Sequence, residues 1–150
     1  MTGEEAYERY AHDLTAFATA LVGPSDAPDV VAESLIRCVY GRTWNAVRDH
    51  RAYLHRAVLS EARRHRLSGR RRRSREVRVA PRERVADPET DVDVLGAVRQ
   101  LSMRQRAVVY LTYWDDLAPQ DVSELLGIGE GSVKRHLARA RARLRGLLGE

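Results

Sequence analysis

The sequence predicts an all-α protein built from two small helical domains joined by a flexible linker. Three observations carry that expectation. Apolar residues recur at spacings of three and four in every patterned segment, and no segment shows the alternation of a half-buried strand. Residues 74–92 lack apolar periodicity and hold Pro81, Pro88, Glu83, Asp87, Glu89 and Asp91, the composition of a linker. Residues 117–148 read as two short amphipathic helices around a glycine, a helix-turn-helix pattern. The expected division is therefore 1–73, a linker over 74–92, and 93–150.

The first helix is expected over residues 4–22, with Tyr7, Tyr10, Leu14, Phe17, Ala18 and Leu21 as its stripe and Gly23-Pro24 as its stop. Ser25 is placed to cap a second helix that runs to about Tyr40, with Pro28 still early enough to be tolerated. Val30, Val31, Leu35, Cys38 and Val39 point inward from it. Asp29, Glu33 and Arg37 fall at i, i+4 and i+8 on its outer face, which by spacing alone reads as a pair of exposed ion pairs of small worth. Residues 41–49 form a bend in which Trp44 anchors the core. A third helix is expected from about Arg51 to Leu67, with Tyr53, Leu54, Ala57, Val58 and Ala62 inward.

The end of that helix is strongly basic: Arg63, Arg64, His65 and Arg66, then Arg70 to Arg73. Cations favour a helix C-terminus, but this density exceeds that need and reads as a phosphate-binding surface. Charge is segregated along the chain: residues 63–84 hold 11 basic and 2 acidic groups, and residues 127–150 hold 6 and 2, while residues 1–62 and 85–126 are net acidic. Two basic blocks suggest two contacts with a polyanion, leaving other surfaces for protein partners.

Beyond the linker, a short helix is expected over Val94 to Gln100. Ser102 caps a further helix from Met103 to Tyr113 that turns Ala107, Val108, Leu111 and Trp114 inward. The helix-turn-helix follows. Val122, Leu125 and Leu126 mark its first helix, Gly127 supplies the left-handed turn, and Ile128 plugs the angle. Val133, Leu137, Ala140, Leu144 and Leu148 form one face of the second helix. On the opposite face Ser132, Arg135, His136, Arg139 and Arg143 make a basic ridge with no acid between Gly131 and Gly149. A merely solvated face would interleave acids with its arginines, so the ridge reads as a recognition helix for the DNA major groove.

Other classes find no support in the sequence. There is no glycine-rich phosphate loop, CxxC, HExxH or nucleophile elbow, so no enzymatic activity, metal or cofactor is expected. Cys38 lies on an apolar face and reads as a small core residue. No apolar run approaches the length of a membrane span, and MTGEEAYERY is unlike a signal peptide, so a cytoplasmic location is expected.

The same residues resemble a known family. Leu21-Val22-Gly23, Asp29-Val30-Val31-Ala32-Glu33-Ser34-Leu35-Ile36-Arg37 and Arg51-Ala52-Tyr53-Leu54-His55-Arg56 in the first half carry the likeness. So do Leu101-Ser102-Met103-Arg104-Gln105-Arg106-Ala107-Val108-Val109, Tyr113-Trp114-Asp115-Asp116-Leu117, Gly131-Ser132-Val133-Lys134-Arg135 and Arg139-Ala140-Arg141 in the second. The chain resembles the extracytoplasmic-function (group IV) sigma factors of bacterial RNA polymerase, within the sigma-70 family, over about residues 5–148. The resemblance implies a sigma region 2-like domain that grips core polymerase and opens the −10 element, and a region 4-like domain that reads the −35 element. It implies core RNA polymerase, promoter DNA and an anti-sigma factor as partners.

Carried over by residue, the resemblance sets Asp29, Glu33 and Arg37 against the polymerase clamp, reversing the reading from spacing. Ser60, Arg63, Arg64 and Arg66 would lie near the −10 strands. Ser132, Arg135, His136 and Arg139 would enter the −35 groove, with Lys134 and Arg141 nearer phosphates. The chain departs from the family pattern at Ala32, where Gln is usual, at Ser60, where Asn is common, at Ala118-Pro119, and at Gly129-Glu130 ahead of the recognition helix. Two other readings stay open on the residues alone: a dimeric helix-turn-helix regulator acting without polymerase, and a degenerate sigma-like interaction protein. Single-strand capture also calls for a base-accepting pocket, which the sequence does not display.

Overall fold

The computed structural model describes residues 1–76 and 90–149, the side chains of 70–76, 90–93 and 95 excepted. Seven α-helices make up the described residues: α1 Gly3–Val22, α2 Ala27–Val39, α3 His50–Glu76, α4 Thr90–Arg99, α5 Met103–Tyr113, α6 Pro119–Leu126 and α7 Glu130–Leu148. A 3-10 turn, Trp44–Ala46, lies between α2 and α3. The described part is all-α, as its periodicity predicts.

Local chemistry sets most helix ends. The Thr2 hydroxyl accepts from the Glu5 amide at 3.1 Å to start α1, and Glu4 and Glu5 favour its positive end. Gly23, at φ 89°, stops it. Asp26, not Ser25, stands at the N-cap of α2, without a side-chain cap bond, and Pro28 fits the first turn where no amide is needed. The Asp49 carboxylate accepts from the Ala52 amide at 3.1 Å at the head of α3. Ser102 and Gln105 form a reciprocal capping box at α5, with bonds of 3.2 and 3.0 Å.

Two helices run further than their periodicity implies. α3 passes through Ser68-Gly69 to Glu76, and α4 begins at Thr90 rather than Val94. Arginine is a good helix former, and one interior glycine costs only about 1 kcal/mol, so the polar run 63–76 extends the helix without an apolar face. The rest of the expected linker, residues 77–89, lies outside the described residues.

In the first half α1, α2 and α3 pack on one another; in the second, α5, α6 and α7 do so, with α4 resting on α7. The halves also meet. α1 and α3 pack against α5, and α3 packs against α6. The apolar core therefore runs continuously from Leu14, Phe17, Leu21 and Leu54 to Leu111, Val122, Leu126 and Val133. Burying each such side chain contributes roughly 1.5–3 kcal/mol. At the seam the Phe17 ring meets His55 at 5.0 Å and Tyr110 at 5.9 Å.

Trp44 and Cys38 are core residues, as expected, and the Trp44 indole N–H donates to the Met1 carbonyl at 2.8 Å. Trp114 is not. It follows the last turn of α5, stands 68% exposed, and stacks on Tyr110 from the solvent side. Tyr7 and Leu148, at the margins of their stripes, are exposed as well.

Candidate nucleic-acid interface

The turn between α6 and α7 is built as its sequence requires. Gly127 takes a left-handed conformation, φ 69° and ψ 33°, at the end of α6, and its amide closes on the Ser123 carbonyl. The Ser123 hydroxyl donates to the Ile128 carbonyl at 2.5 Å and ties the turn down. Pro119 opens α6 and needs no amide partner there. Gly129 caps α7 through backbone geometry alone.

α7 is two-faced. Val133, Leu137 and Ala140 are buried against α5 and α6. Arg135, Arg139 and Arg143 are exposed, and Ser132 and His136 are half-buried at the border of the ridge. One Arg135 nitrogen donates to the Ser132 hydroxyl at 3.0 Å, which holds its fork near the head of the helix. Desolvation, then the nearby Arg104, Arg139 and Arg135, lower the His136 pKa, so it stands on the ridge as a neutral donor and acceptor. Neutral His and forked Arg are suited to base edges and phosphates.

The other two residues expected with this ridge sit elsewhere. Lys134 pairs with Glu130 at 3.5 Å, one turn back on an exposed flank. Arg141 turns towards α5, where its Nε donates to the Tyr113 hydroxyl at 2.7 Å and its guanidinium lies 5.7 Å from that ring. The charge of Arg141 thus lies beside an exposed aromatic rather than in line with Ser132, Arg135, His136 and Arg139.

On α3, Ser60, Arg63 and Arg64 are exposed. Arg64 pairs with Glu61 at 3.0 Å, and Arg37 reaches across from α2 to the same carboxylate at 3.6 Å. Arg66 is directed to the second half, where it donates to the Leu101 carbonyl at 3.2 Å. The side chains of Arg70 to Arg73 lie outside the described residues. Between α2 and α3 is an open cleft of about 410 Å3, bordered by Arg37, Tyr53, Arg56, Ser60 and Arg64. The sequence alone gave no sign of this cleft. On α2, Asp29, Glu33 and Arg37 are all exposed, and Ile36 beside them is an exposed apolar group.

Two arginines of the seam escaped the sequence reading. Arg106, only 8% exposed, donates to the carbonyls of Val98, Leu101, Arg99 and, across the seam, Leu21 at 2.6 Å. Arg56 reaches the opposite way, from α3 to the last carbonyls of α6: Glu124 at 2.7 Å and Leu125 at 3.3 Å. The signal for Arg106 lay in its position, three after Met103 and four before Tyr110, on the side of α5 that faces the first half. Among the described residues no three His, Cys, Asp or Glu side chains are grouped to hold a metal ion.

Comparison with known proteins bears on both halves. Residues 91–144 match the model of sigma-70, region 4. The RNA polymerase sigma-E factor of Streptomyces avermitilis is 32% identical over 94% of this chain and 82% of its own length. The sigma-E factor of Streptomyces coelicolor is 32% identical over 94% of this chain and 83% of its own. The chain belongs to the sigma-70 family, in its extracytoplasmic-function group. Its function is that of an RNA polymerase sigma factor in transcription initiation.

Solved structures extend the likeness to the fold of this sigma factor. The sigma factor RpoE of Bartonella quintana, in complex with the anti-sigma factor NepR, superposes with a TM-score of 0.64 at 24% identity, over 97% of this chain and 96% of that one. CnrH, in complex with the cytosolic domain of CnrY, superposes with a TM-score of 0.65 at 21% identity, over 98% and 87%. No helix among the described residues of this sigma factor is long and apolar enough to cross a membrane.

Proposed function

We propose that this sigma factor divides promoter recognition between its halves, with residues 1–73 as the region 2-like domain for core polymerase and the −10 element, 74–92 as a linker, and 93–150 as the region 4-like domain for the −35 element. The observation that carries the reading is α7. Its inner face is buried on α6 behind the Gly127 turn, and its outer face offers Arg135 and Arg139 to solvent beside Ser132 and His136. That is the form of a helix that enters a major groove.

The remaining roles follow from surface chemistry. Lys134 and Arg141, off the ridge, suit phosphates rather than base edges. Ser60 and Arg64 offer a hydroxyl and a cation at the α2–α3 cleft, which is roomy enough for an unstacked base, and Arg63 adds an exposed cation on the same helix. Arg66, further along α3, belongs with them on this reading. Asp29, Glu33 and Arg37, with exposed Ile36, give α2 a mixed charged and apolar face suited to a protein partner, here core polymerase. An anti-sigma factor is a further partner, supported by the complexes in which the structurally similar sigma factors were solved. On this reading the protein works in the cytoplasm as a non-catalytic subunit.

The test is promoter output in the Arg135→Ala, Arg139→Ala double variant. The reading expects start-site selection to collapse while binding to core polymerase holds. Undiminished output from the double variant would remove the −35 role from α7.

A further inference from the structure

The α2–α3 cleft is bordered by cations and hydroxyls, with one acid among them. Arg37, Arg56, Ser60 and Arg64 line it, and Glu61 is the acid. The Glu61 side chain is only 15% exposed, although the cleft of about 410 Å3 is open. Arg64, one turn on along α3, lies 3.0 Å from its Oε2, and Arg37 reaches the same atom from α2 at 3.6 Å. Both contacts fall on that one oxygen, and neither is aligned as a hydrogen bond. Among the described residues no group donates to Oε1.

This geometry differs from that of an ion pair that only ties two helices together. An arginine held to neutralise a carboxylate typically takes both oxygens with its planar fork. Here two arginines share one oxygen and leave the other. Buried polar atoms in folded proteins are nearly always hydrogen-bonded, and Oε2 is not. A carboxylate also lowers affinity in a cleft that is to hold a phosphodiester strand. What it supplies in return is a strong acceptor beside strong donors, since a carboxylate accepts and a guanidinium only donates.

Bases differ at the atom that such a pair would test. Cytosine and adenine carry an amine, N4 or N6, where thymine and guanine carry a keto oxygen, O4 or O6. The amine donates to a carboxylate, while a keto oxygen in its place sets acceptor against acceptor. The ring nitrogen next to the amine is an acceptor in cytosine and adenine, so a guanidinium beside the carboxylate donates to it. In thymine and guanine that nitrogen carries a hydrogen and turns the guanidinium away. In one orientation of the strand, the pair matches an amino base at two points and mismatches a keto base at both.

We propose that Glu61 is a specificity-determining residue for single-stranded DNA: its carboxylate, set beside Arg64, admits an unstacked cytosine or adenine to the α2–α3 cleft and rejects thymine and guanine. Arg37 and Arg64 together outweigh the one acid, so the site still attracts phosphates while the base is chosen. The inference rests on the reading of this cleft, given above, as the place where an unstacked −10 base is held.

The test uses holoenzyme assembled from core RNA polymerase and the full chain, with core polymerase alone as the blank. Fluorescence anisotropy follows a labelled single-stranded oligo-dT 15-mer and three relatives whose central three residues are dC, dA or dG. Wild type is expected to bind the dC and dA strands about fivefold tighter than the dT and dG strands, the worth of one hydrogen bond. Glu61→Leu should bind all four alike, and oligo-dT no more weakly than wild type does, since a negative charge has gone. Glu61→Gln keeps the shape and offers both a donor and an acceptor, so it should lose most of the preference too, and circular dichroism checks that both variants fold. If Glu61 only holds Arg37 and Arg64 in place, its loss will change all four affinities by the same factor and keep their ratio, which would overturn the proposal. Equal binding of the four strands by wild type would overturn it as well. No strand bound above the core-polymerase blank would instead overturn the −10 reading of the first half, and this inference with it.

Discussion

Arg56 and Glu124 are 68 residues apart in sequence, yet the Arg56 guanidinium donates to the Glu124 backbone carbonyl at 2.7 Å. The bond joins the helix that carries Ser60 and Arg63 to the end of the helix that precedes the DNA-reading turn. It makes the geometry of the turn and the closure of the halves one problem, since Gly127 serves both.

Gly127→Ala should therefore act twice. The left-handed φ of 69° penalises any Cβ, and the new methyl meets the Arg56 guanidinium. The expected loss is about 1–2 kcal/mol in urea unfolding. Arg56→Ala combined with Gly127→Ala should cost less than the two losses added together, because the collision is gone. Strict additivity would show that Arg56 does not press on the turn.

Arg106 is the residue whose loss should be felt most in the second half. Replacing it with Met keeps its bulk but takes the guanidinium from the buried Leu21 carbonyl, while the Val98 and Leu101 carbonyls keep the Leu101 amide and Arg66 as donors. A cost of about 1–3 kcal/mol follows from leaving a buried acceptor unmet. Thermal or urea unfolding measures it, and a change under about 0.5 kcal/mol, the scale of an ordinary surface substitution, would contradict the role given to this side chain.

His55 links stability to pH. It is 1% exposed against Phe17, and its Nδ1–H donates to the Arg51 carbonyl at 2.7 Å. Burial lowers its pKa most. The charge of Arg51 lowers it further, while the Arg51 carbonyl and the charges of Asp115 and Asp13 act the other way. With the folded-state pKa below the ordinary 6.5, the unfolded chain takes the proton first as pH falls. The His55 contribution is thus steady above about pH 6.5 and is lost progressively below it. Urea unfolding across pH 5 to 8 should show that slope in wild type and a shallower one in His55→Gln. Equal slopes would contradict a buried neutral imidazole.

Duplex binding should separate base-reading from phosphate-holding groups. Arg135→Ala and Arg139→Ala are each expected to cost about 1–3 kcal/mol on a cognate −35 duplex and to relax sequence preference. Lys134→Ala should weaken all duplexes alike and lower the salt slope by about 1. Equal losses on cognate and random duplexes for Arg135→Ala would place that residue on the backbone instead.

The elements were legible because period and punctuation agree along most of the chain. Gly23-Pro24, Ser102 and Gly127 each mark an end that the helix takes. α3 ran long because its final turns are arginine-rich and carry no apolar stripe, so periodicity could not follow them. The ridge of α7 was legible for the converse reason, a one-sign face opposite an apolar one. Arg66, Arg106 and Trp114 were not, since a single sequence shows which face a residue lies on but not which half will cover it. Arg141 was assigned to phosphate through its motif, while its bond to Tyr113 depends on the packing of α7 on α5.

The most direct test of the central claim is in vitro transcription with purified core RNA polymerase on fragmented genomic DNA, with and without this protein. The account predicts new, protein-dependent start sites, each preceded by two spaced elements. No new starts, together with duplex binding by the protein alone, would contradict it and favour a helix-turn-helix regulator that works without polymerase.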